Sequence, residues 1–149
     1  MKDLIFPASA IALFANGIFA GFAFTENYVN IPIIKDSSDP ASAICKNLDN
    51  AKTVGVIGCI VGGISHLFVY YKTKGLSSMI CGISLAVLLP YTWFCMVPTN
   101  KILYQMRKEK STDKQQAFKL VNKWNRLHWV RTIIGTGTFV LAINEYTKA

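Results

Sequence analysis

The sequence predicts an all-α integral membrane protein, an up-and-down four-helix bundle with an amphipathic extension before the fourth span. Three runs that contain no charged residue support this prediction: 4–25, 53–71 and 75–100. Each run is close to the roughly 20 residues that a helix needs to cross a hydrocarbon core about 30 Å thick. The chain is 52% hydrophobic and only 16% charged, which is more apolar than an ordinary soluble domain. We expect residues 1–149 to form a single domain with four spans.

The fourth span is the least apolar of the four. The predicted spans cover about residues 4–25, 53–71, 77–98 and 127–145. The last one is long enough only if His128, Trp129 and Arg131 lie within it or at the interface, because its uncharged run is 132–144. An ionisable group deep in a bundle is costly and is usually functional. The first run is longer than the apolar part of a signal peptide and lacks a small-x-small cleavage site, so we expect it to be retained.

Basic residues predict the orientation in the membrane. Of the 16 Lys and Arg residues, 8 lie between Lys101 and Arg126. An up-and-down bundle places this segment and 26–52 on the same side of the membrane. The positive-inside rule therefore predicts that both long loops are cytoplasmic and that the termini are lumenal or extracellular. Within the first loop, 35–50 is rich in Asp, Ser, Asn and Pro, so we expect turns there and a reactive thiol at Cys45.

The second long loop is predicted to be helical in its latter half. Ser111–Asp113 is typical of a helix start. Apolar residues then recur at helical spacing, at Ala117, Leu120, Val121, Trp124 and Leu127. Basic residues lie largely off this stripe, at Lys114, Lys119, Lys123 and Arg126. We expect this extension to lie on the membrane with its basic face toward anionic headgroups, so the charge indicates a lipid bilayer and no nucleic acid.

No metal or cofactor is predicted. The four cysteines show no Cys-x-x-Cys spacing, and the chain contains only two histidines, which is too few imidazoles for a typical zinc site. A haem between His66 and His128 is excluded, because these residues would lie roughly 20 Å apart along the membrane normal at ~1.5 Å per helical residue. Phosphate-binding, serine-hydrolase and zinc-protease motifs are also absent from the sequence.

Six polar residues are expected to meet at one end of the bundle. They end the first and third spans and begin the fourth: Glu26, Thr99, Asn100, Trp124, His128 and Arg131. Asn27 follows Glu26 at the end of the first span and lies on the same membrane face. The last three of the six share one helix face, because they are separated by four and three positions. A planar aromatic ligand would stack on Trp124, His128 would take a proton, and Arg131 would stabilise the resulting oxyanion. Thr99 and Asn100 would add hydrogen bonds. Each residue alone also has a structural interpretation, such as an interface anchor or a helix cap.

The segments 97–103 and 120–131 carry a family resemblance. They resemble the P-x-N-x-x-L and W-x-x-x-H-x-x-R signature of the anthrone-oxygenase-like family of small four-helix membrane proteins. The resemblance implies a cofactor-free oxidation of a polycyclic anthrone by O2 to the anthraquinone. It also implies that His128 deprotonates the methylene, that Arg131 and Asn100 hold the enolate oxygen, and that Trp124 stacks on the rings. The short, polar first loop departs from this picture, since nothing in it suggests a wall for a tricyclic pocket.

Three functions remain open at this point. The first is an oxygenase-like enzyme that acts on a lipophilic aromatic, so that a hydrophobic small molecule or a lipid occupies the site. The second is a non-catalytic membrane subunit or scaffold, whose polar cluster binds lipid or a helix of a partner membrane protein. A transporter ranks last, because no span carries a central acidic residue or paired broken helices.

Overall fold

The computed structural model describes residues 2–147, with side chains from residue 7 onward, as four long helical rods. The first rod consists of α1 (Lys2–Thr25), a π-helical turn (Glu26–Asn30) and α2 (Ile31–Asp36). The second is α3 (Pro40–Thr73). The third consists of α4 (Leu76–Tyr91), a second π-helical turn (Thr92–Met96) and α5 (Val97–Lys108), and the fourth is α6 (Lys114–Tyr146). The predicted all-α helical bundle is confirmed.

Three of the rods are long and apolar enough to cross a membrane within the described part of the chain. These segments are Pro7–Asp36, Pro40–Thr73 and Leu76–Lys108. The second and third contain the predicted spans 53–71 and 77–98, and the first overlaps the predicted span 4–25 from Pro7 onward. The fourth predicted span, 127–145, lies within α6, whose first half carries four basic residues. A crossing by α6 therefore stays a prediction.

The first connection is helical, which corrects the prediction of a turn-containing loop. Only 37–39 interrupts the helices. The Asp39 carboxylate accepts a hydrogen bond from the Ser42 backbone N–H at 3.0 Å, and Pro40 occupies the first position of α3. Asp and Pro thus cap and begin a helix here, a role that their turn preference also allows. Cys45 is consequently fully buried in the core, and the expectation of a reactive thiol is wrong.

Two π-helical turns interrupt the first and third rods. Each is followed by a proline at the second position of the next helix, Pro32 in α2 and Pro98 in α5. Proline lacks an N–H group, and its ring clashes with the carbonyl four residues back, so a wider turn accommodates it. Glu26 lies in the first π turn and Trp93 in the second.

The polar ends of the rods continue the bundle beyond the apolar spans. A buried cluster there joins the first connection, the third rod and α6, and includes Ile31, Ile44, Leu48, Leu103, Val121 and Trp124. The apolar stripe of α6 therefore packs on protein, which corrects the expectation that it lies on the membrane. As predicted, α6 begins just after Asp113, whose side chain accepts from the Gln116 N–H at 2.9 Å. The basic residues Lys114, Lys119, Lys123 and Arg126 are exposed.

Small residues bring the rods close together inside the apolar region. Phe19 is fully buried, and its side chain lies between α3 and α6. A Cβ atom built on Gly58 would lie 3.1 Å from Phe19, and one built on Gly135 would lie 2.6 Å from it. Such close approach is typical of helix packing in membranes, where small residues at the contact allow strong van der Waals packing.

Candidate functional site

A cavity of about 630 Å³ lies where the apolar region meets the polar ends of the rods. Five of the six predicted site residues line it: Glu26, Asn100, Trp124, His128 and Arg131. Thr99, the residue before Asn100, does not line the cavity. It is buried, with 1% of its surface exposed. The volume falls within the roughly 300–1,000 Å³ that is usual for small-molecule sites.

Apolar side chains form much of the remaining wall. They come from the first three rods and are Phe22, Leu48, Val56, Leu89, Trp93, Met96 and Val97. None of these residues was predicted from the sequence, nor was the contribution of Leu48 and Asp49 from the first connection. Positions 48, 52, 55 and 59 repeat at helical spacing. Recognition of the helix start at Asp39 would therefore have predicted this wall.

The orientation of His128 is fixed by Asn27. The imidazole Nδ1 lies 3.0 Å from Asn27 Oδ1, which also accepts a hydrogen bond from Thr132 Oγ1 at 2.5 Å. Asn27 itself is oriented by donation from its Nδ2 to Asn125 Oδ1 at 2.7 Å. Because Asn27 presents an oxygen to the ring, the network assigns the proton of the neutral imidazole to Nδ1. The Nε2 atom of His128 then carries the lone pair and can accept a proton.

Trp124 and His128 are stacked one helical turn apart. Their ring centroids are 4.6 Å apart and their planes differ by 14°. His128 thus covers one face of the indole. That face is therefore closed to a molecule in the cavity.

Glu26 is a buried carboxylate that is held by amides. It is 1% exposed. Its Oε1 accepts from Asn30 Nδ2 at 2.8 Å, and its Oε2 accepts from Asn47 Nδ2 at 2.5 Å. Ion pairs among the described side chains involve only Asp49, so Glu26 and Arg131 are not paired with each other. Buried charges are usually paired, which makes these two groups in one cavity candidates for function.

Arg131 is positioned by aromatic and glycine contacts. Its guanidinium carbon lies 5.6 Å from the centre of the Phe19 ring, within the range of a cation–π contact. A Cβ atom on Gly55 would lie 2.9 Å from Arg131 Nη2, so the glycine leaves room for the guanidinium against α3. The sequence predicted the arginine but neither of these contacts.

Three buried polar atoms in the cavity wall have no hydrogen-bond partner within the described chain. They are Trp124 Nε1, Asn100 Oδ1 and Arg131 Nε. A buried polar atom without a partner costs about 1–3 kcal/mol. All three residues line the cavity, and the three atoms themselves are covered by protein.

The outer end of the cavity carries charged side chains. Asp49, Lys52 and Lys101 line it there, together with Tyr104. Asp49 is engaged by the Tyr104 hydroxyl at 2.7 Å and by Arg107 Nη1 at 3.0 Å. Among the side chains that the structure describes, residues 7–147, no group of three or more His, Cys, Asp or Glu residues is arranged to hold a metal ion.

The second histidine belongs to a different polar cluster. His66 Nδ1 lies 2.9 Å from the Tyr146 hydroxyl, and His66 Nε2 lies 3.4 Å from Asn16 Nδ2. It does not line the cavity. This makes His66 a natural control for experiments on His128.

The fold and the site define a helical membrane protein with a mostly apolar cavity and a histidine–arginine pair at the end of its apolar region. Residues 49–141 match the model of the family described as Anthrone oxygenase, and the chain belongs to that family. The matched segment contains Asn100, Trp124, His128 and Arg131.

Curated relatives cover most of the chain at low identity. The chain is 23% identical to anthrone oxygenase tpcL of Aspergillus fumigatus, over 93% of this chain and 92% of the relative. It is 26% identical to anthrone oxygenase nsrD of Aspergillus novofumigatus, over 84% of each chain. It is 24% identical to an anthrone oxygenase of Claviceps purpurea, over 83% of this chain and 80% of the relative. No solved structure matches.

Proposed function

We propose that the protein is a cofactor-independent oxygenase that uses O2 to oxidise the activated methylene of a lipophilic aromatic of the anthrone type. The observation that carries the proposal is the neutral imidazole of His128. Asn27 orients the ring so that Nε2 can accept a proton, in a cavity that Arg131 and Trp124 also line. The names of the curated relatives support the choice of substrate class.

His128 removes the proton in the first step. The methylene of an anthrone lies between two aromatic rings and is conjugated with the carbonyl, so its deprotonation gives an aromatic enolate. Nε2 of His128 takes this proton as a general base. Arg131 and the Trp124 N–H donate to the enolate oxygen and stabilise its charge. Asn100 Oδ1 is an acceptor, and it therefore suits a hydroxyl group of the substrate better than the enolate oxygen.

The enolate then reacts with O2. One electron passes from the enolate to O2, and the resulting radical and superoxide combine to form a carbon–oxygen bond at the former methylene. The peroxide takes the proton held by His128. The remaining proton on that carbon then leaves as the O–O bond breaks, which releases water and forms the second carbonyl. Anthrone and O2 thus give anthraquinone and water, and no other reductant is needed.

Oxygen uptake tests this proposal. Purified protein in detergent with emodin anthrone should consume O2 faster than a blank without protein. His128→Ala should reduce the rate by about 100-fold or more, the usual contribution of a general base. His66→Ala is the matched control, because it also removes a buried imidazole but leaves the cavity wall intact. A wild-type rate equal to that of the blank would refute the proposal.

A non-catalytic membrane subunit is the second candidate. Glu26, Trp124 and His128 are each no more than 2% exposed, so a partner helix on the outside of the bundle would not contact them. This burial favours a small molecule over a partner helix as the occupant. The subunit hypothesis instead predicts a stoichiometric partner protein in a gentle purification, without oxygen uptake.

A further inference from the structure

The cavity reaches the outside of the bundle on one side only. Its lining residues from the first and fourth rods are buried or half-buried, and these are Phe22, Glu26, Trp124, His128 and Arg131. Its exposed lining residues all belong to α3 and the third rod. The cavity therefore opens between these two rods.

This opening changes in character along the helices. At one end lie the charged residues Asp49, Lys52 and Lys101. At the other end lie Val56, which is 44% exposed, and Trp93, which is 69% exposed. Val56 and Trp93 both belong to segments without any charged residue, 53–71 and 75–100. The apolar end of the opening thus lies on a surface that is suited to lipid.

The protein surface around the apolar end of the opening also consists of exposed apolar side chains. On α3, Ile57 is 54% exposed, and on the third rod Phe94 is 75% exposed. From Lys52 to Cys59, which also lines the cavity, the helix rises by about 10 Å at ~1.5 Å per residue. The cavity therefore extends from the charged boundary into the apolar region, and its exposed lining on α3 reaches Val56.

We propose that this opening is a lateral portal through which a lipophilic aromatic molecule passes directly from the bilayer into the cavity, and that the Trp93 side chain gates it. The proposal rests on the proposed function only in the choice of a lipophilic aromatic as the occupant. Such a molecule is concentrated in the bilayer, because transfer of apolar surface out of water is favourable. Indole rings favour the membrane interface and stack with aromatic rings in offset geometry. The route avoids the charged end of the cavity.

Cys59 provides a reporter that does not depend on enzymatic activity. It lines the cavity and is 2% exposed, whereas Cys45 and Cys81 are fully buried and do not line the cavity. Cys95 is exposed and would be replaced by serine. The protein is reconstituted in phosphatidylcholine vesicles and treated with N-phenylmaleimide, which partitions into lipid, or with a sulfonated maleimide, which stays in water. The Cys59 thiol adds across the maleimide double bond, forming one C–S bond with transfer of its proton to carbon, and mass spectrometry measures the extent.

The experiment compares the rate of Cys59 modification in two variants, Trp93→Ala and its matched control Phe94→Ala. Both side chains are exposed, so neither replacement removes a core contact, but only Trp93 lines the cavity. Trp93→Ala should accelerate modification of Cys59 by N-phenylmaleimide by roughly fivefold or more. Phe94→Ala should leave the rate unchanged, and the sulfonated reagent should be slow in both variants.

Two results would overturn the portal. One is a Trp93→Ala rate that does not exceed that of Phe94→Ala. The other is a sulfonated reagent that modifies Cys59 as fast as N-phenylmaleimide, which would place the route at the charged end beside Lys52 and Lys101. No oxygen uptake is measured in this experiment. A protein that fails to oxidise emodin anthrone but depends on Trp93 in this assay would refute the oxygenase and leave the portal standing.

Discussion

The imidazole of His128 lies nearly parallel to the indole of Trp124, with ring centroids 4.6 Å apart. One helical turn of α6 therefore presents a proton acceptor and an aromatic surface as a single unit. The contact with His128 also limits how an aromatic molecule can bind, because it closes one face of the indole.

Asn27 is expected to act through the tautomer of His128. Asn27→Ala removes the acceptor for the Nδ1 proton, so the imidazole can hold its proton on Nε2 and lose its function as a base. Oxygen uptake with emodin anthrone should fall about tenfold or more, equivalent to ~1.4 kcal/mol. Asn27→Asp should restore part of the rate, since a carboxylate oxygen also accepts from Nδ1. Asn122→Ala serves as a control, because Asn122 is exposed on α6 and does not line the cavity, and an equal loss there would argue against this role.

Arg131 is expected to need its planar guanidinium. If Arg131 stabilises an oxyanion with two donors, lysine cannot reproduce that geometry. Arg131→Lys should then lower turnover or ligand affinity about tenfold, which corresponds to ~1.4 kcal/mol. Arg131→Ala should be more severe and should also lower the melting temperature. A side chain that merely reaches the headgroups would tolerate lysine. Unchanged activity in Arg131→Lys would therefore contradict the proposed role.

Packing of the fourth rod can be tested at two glycines. A methyl group at Gly135 would approach Phe19 to 2.6 Å, whereas one at Gly137 would meet nothing within 4 Å. Gly135→Ala should therefore destabilise the protein by about 1–3 kcal/mol, the usual cost of overpacking. Gly137→Ala should leave the melting temperature in detergent unchanged or slightly higher, because alanine favours a helix. Equal melting temperatures for the two variants would contradict the contact between α6 and Phe19.

The sidedness of the bundle can be tested with engineered thiols in a Cys95→Ser background. Thr73, Thr112 and Thr147 are exposed and lie at three different rod ends. In sealed microsomes with the cytoplasmic face outward, an impermeant maleimide should modify Thr112→Cys directly. It should modify Thr73→Cys and Thr147→Cys only after detergent is added. Direct labelling of Thr147→Cys together with Thr112→Cys would show that α6 does not cross the membrane.

Local pattern was sufficient to predict much of this protein. Uncharged runs placed three membrane-length helices, and Ser111–Asp113 placed the start of α6 to within a residue. The spacing of Trp124, His128 and Arg131 placed all three on the face that lines the cavity. These features depend on hydropathy, capping and helical period, which are properties of neighbouring residues.

Tertiary structure alone decided how these residues are held. Asn27 lies 101 positions from His128 in the sequence. Its place at the end of the first span predicted the shared membrane face, but no pattern predicted that it would hold the Nδ1 atom of His128. The polar first connection was expected to be a loop, but it packs as helix against the third rod and α6 and supplies part of the cavity wall. The physical reason is that burial against distant rods outweighs local turn preference, and the geometry of that burial arises only when all four rods pack together.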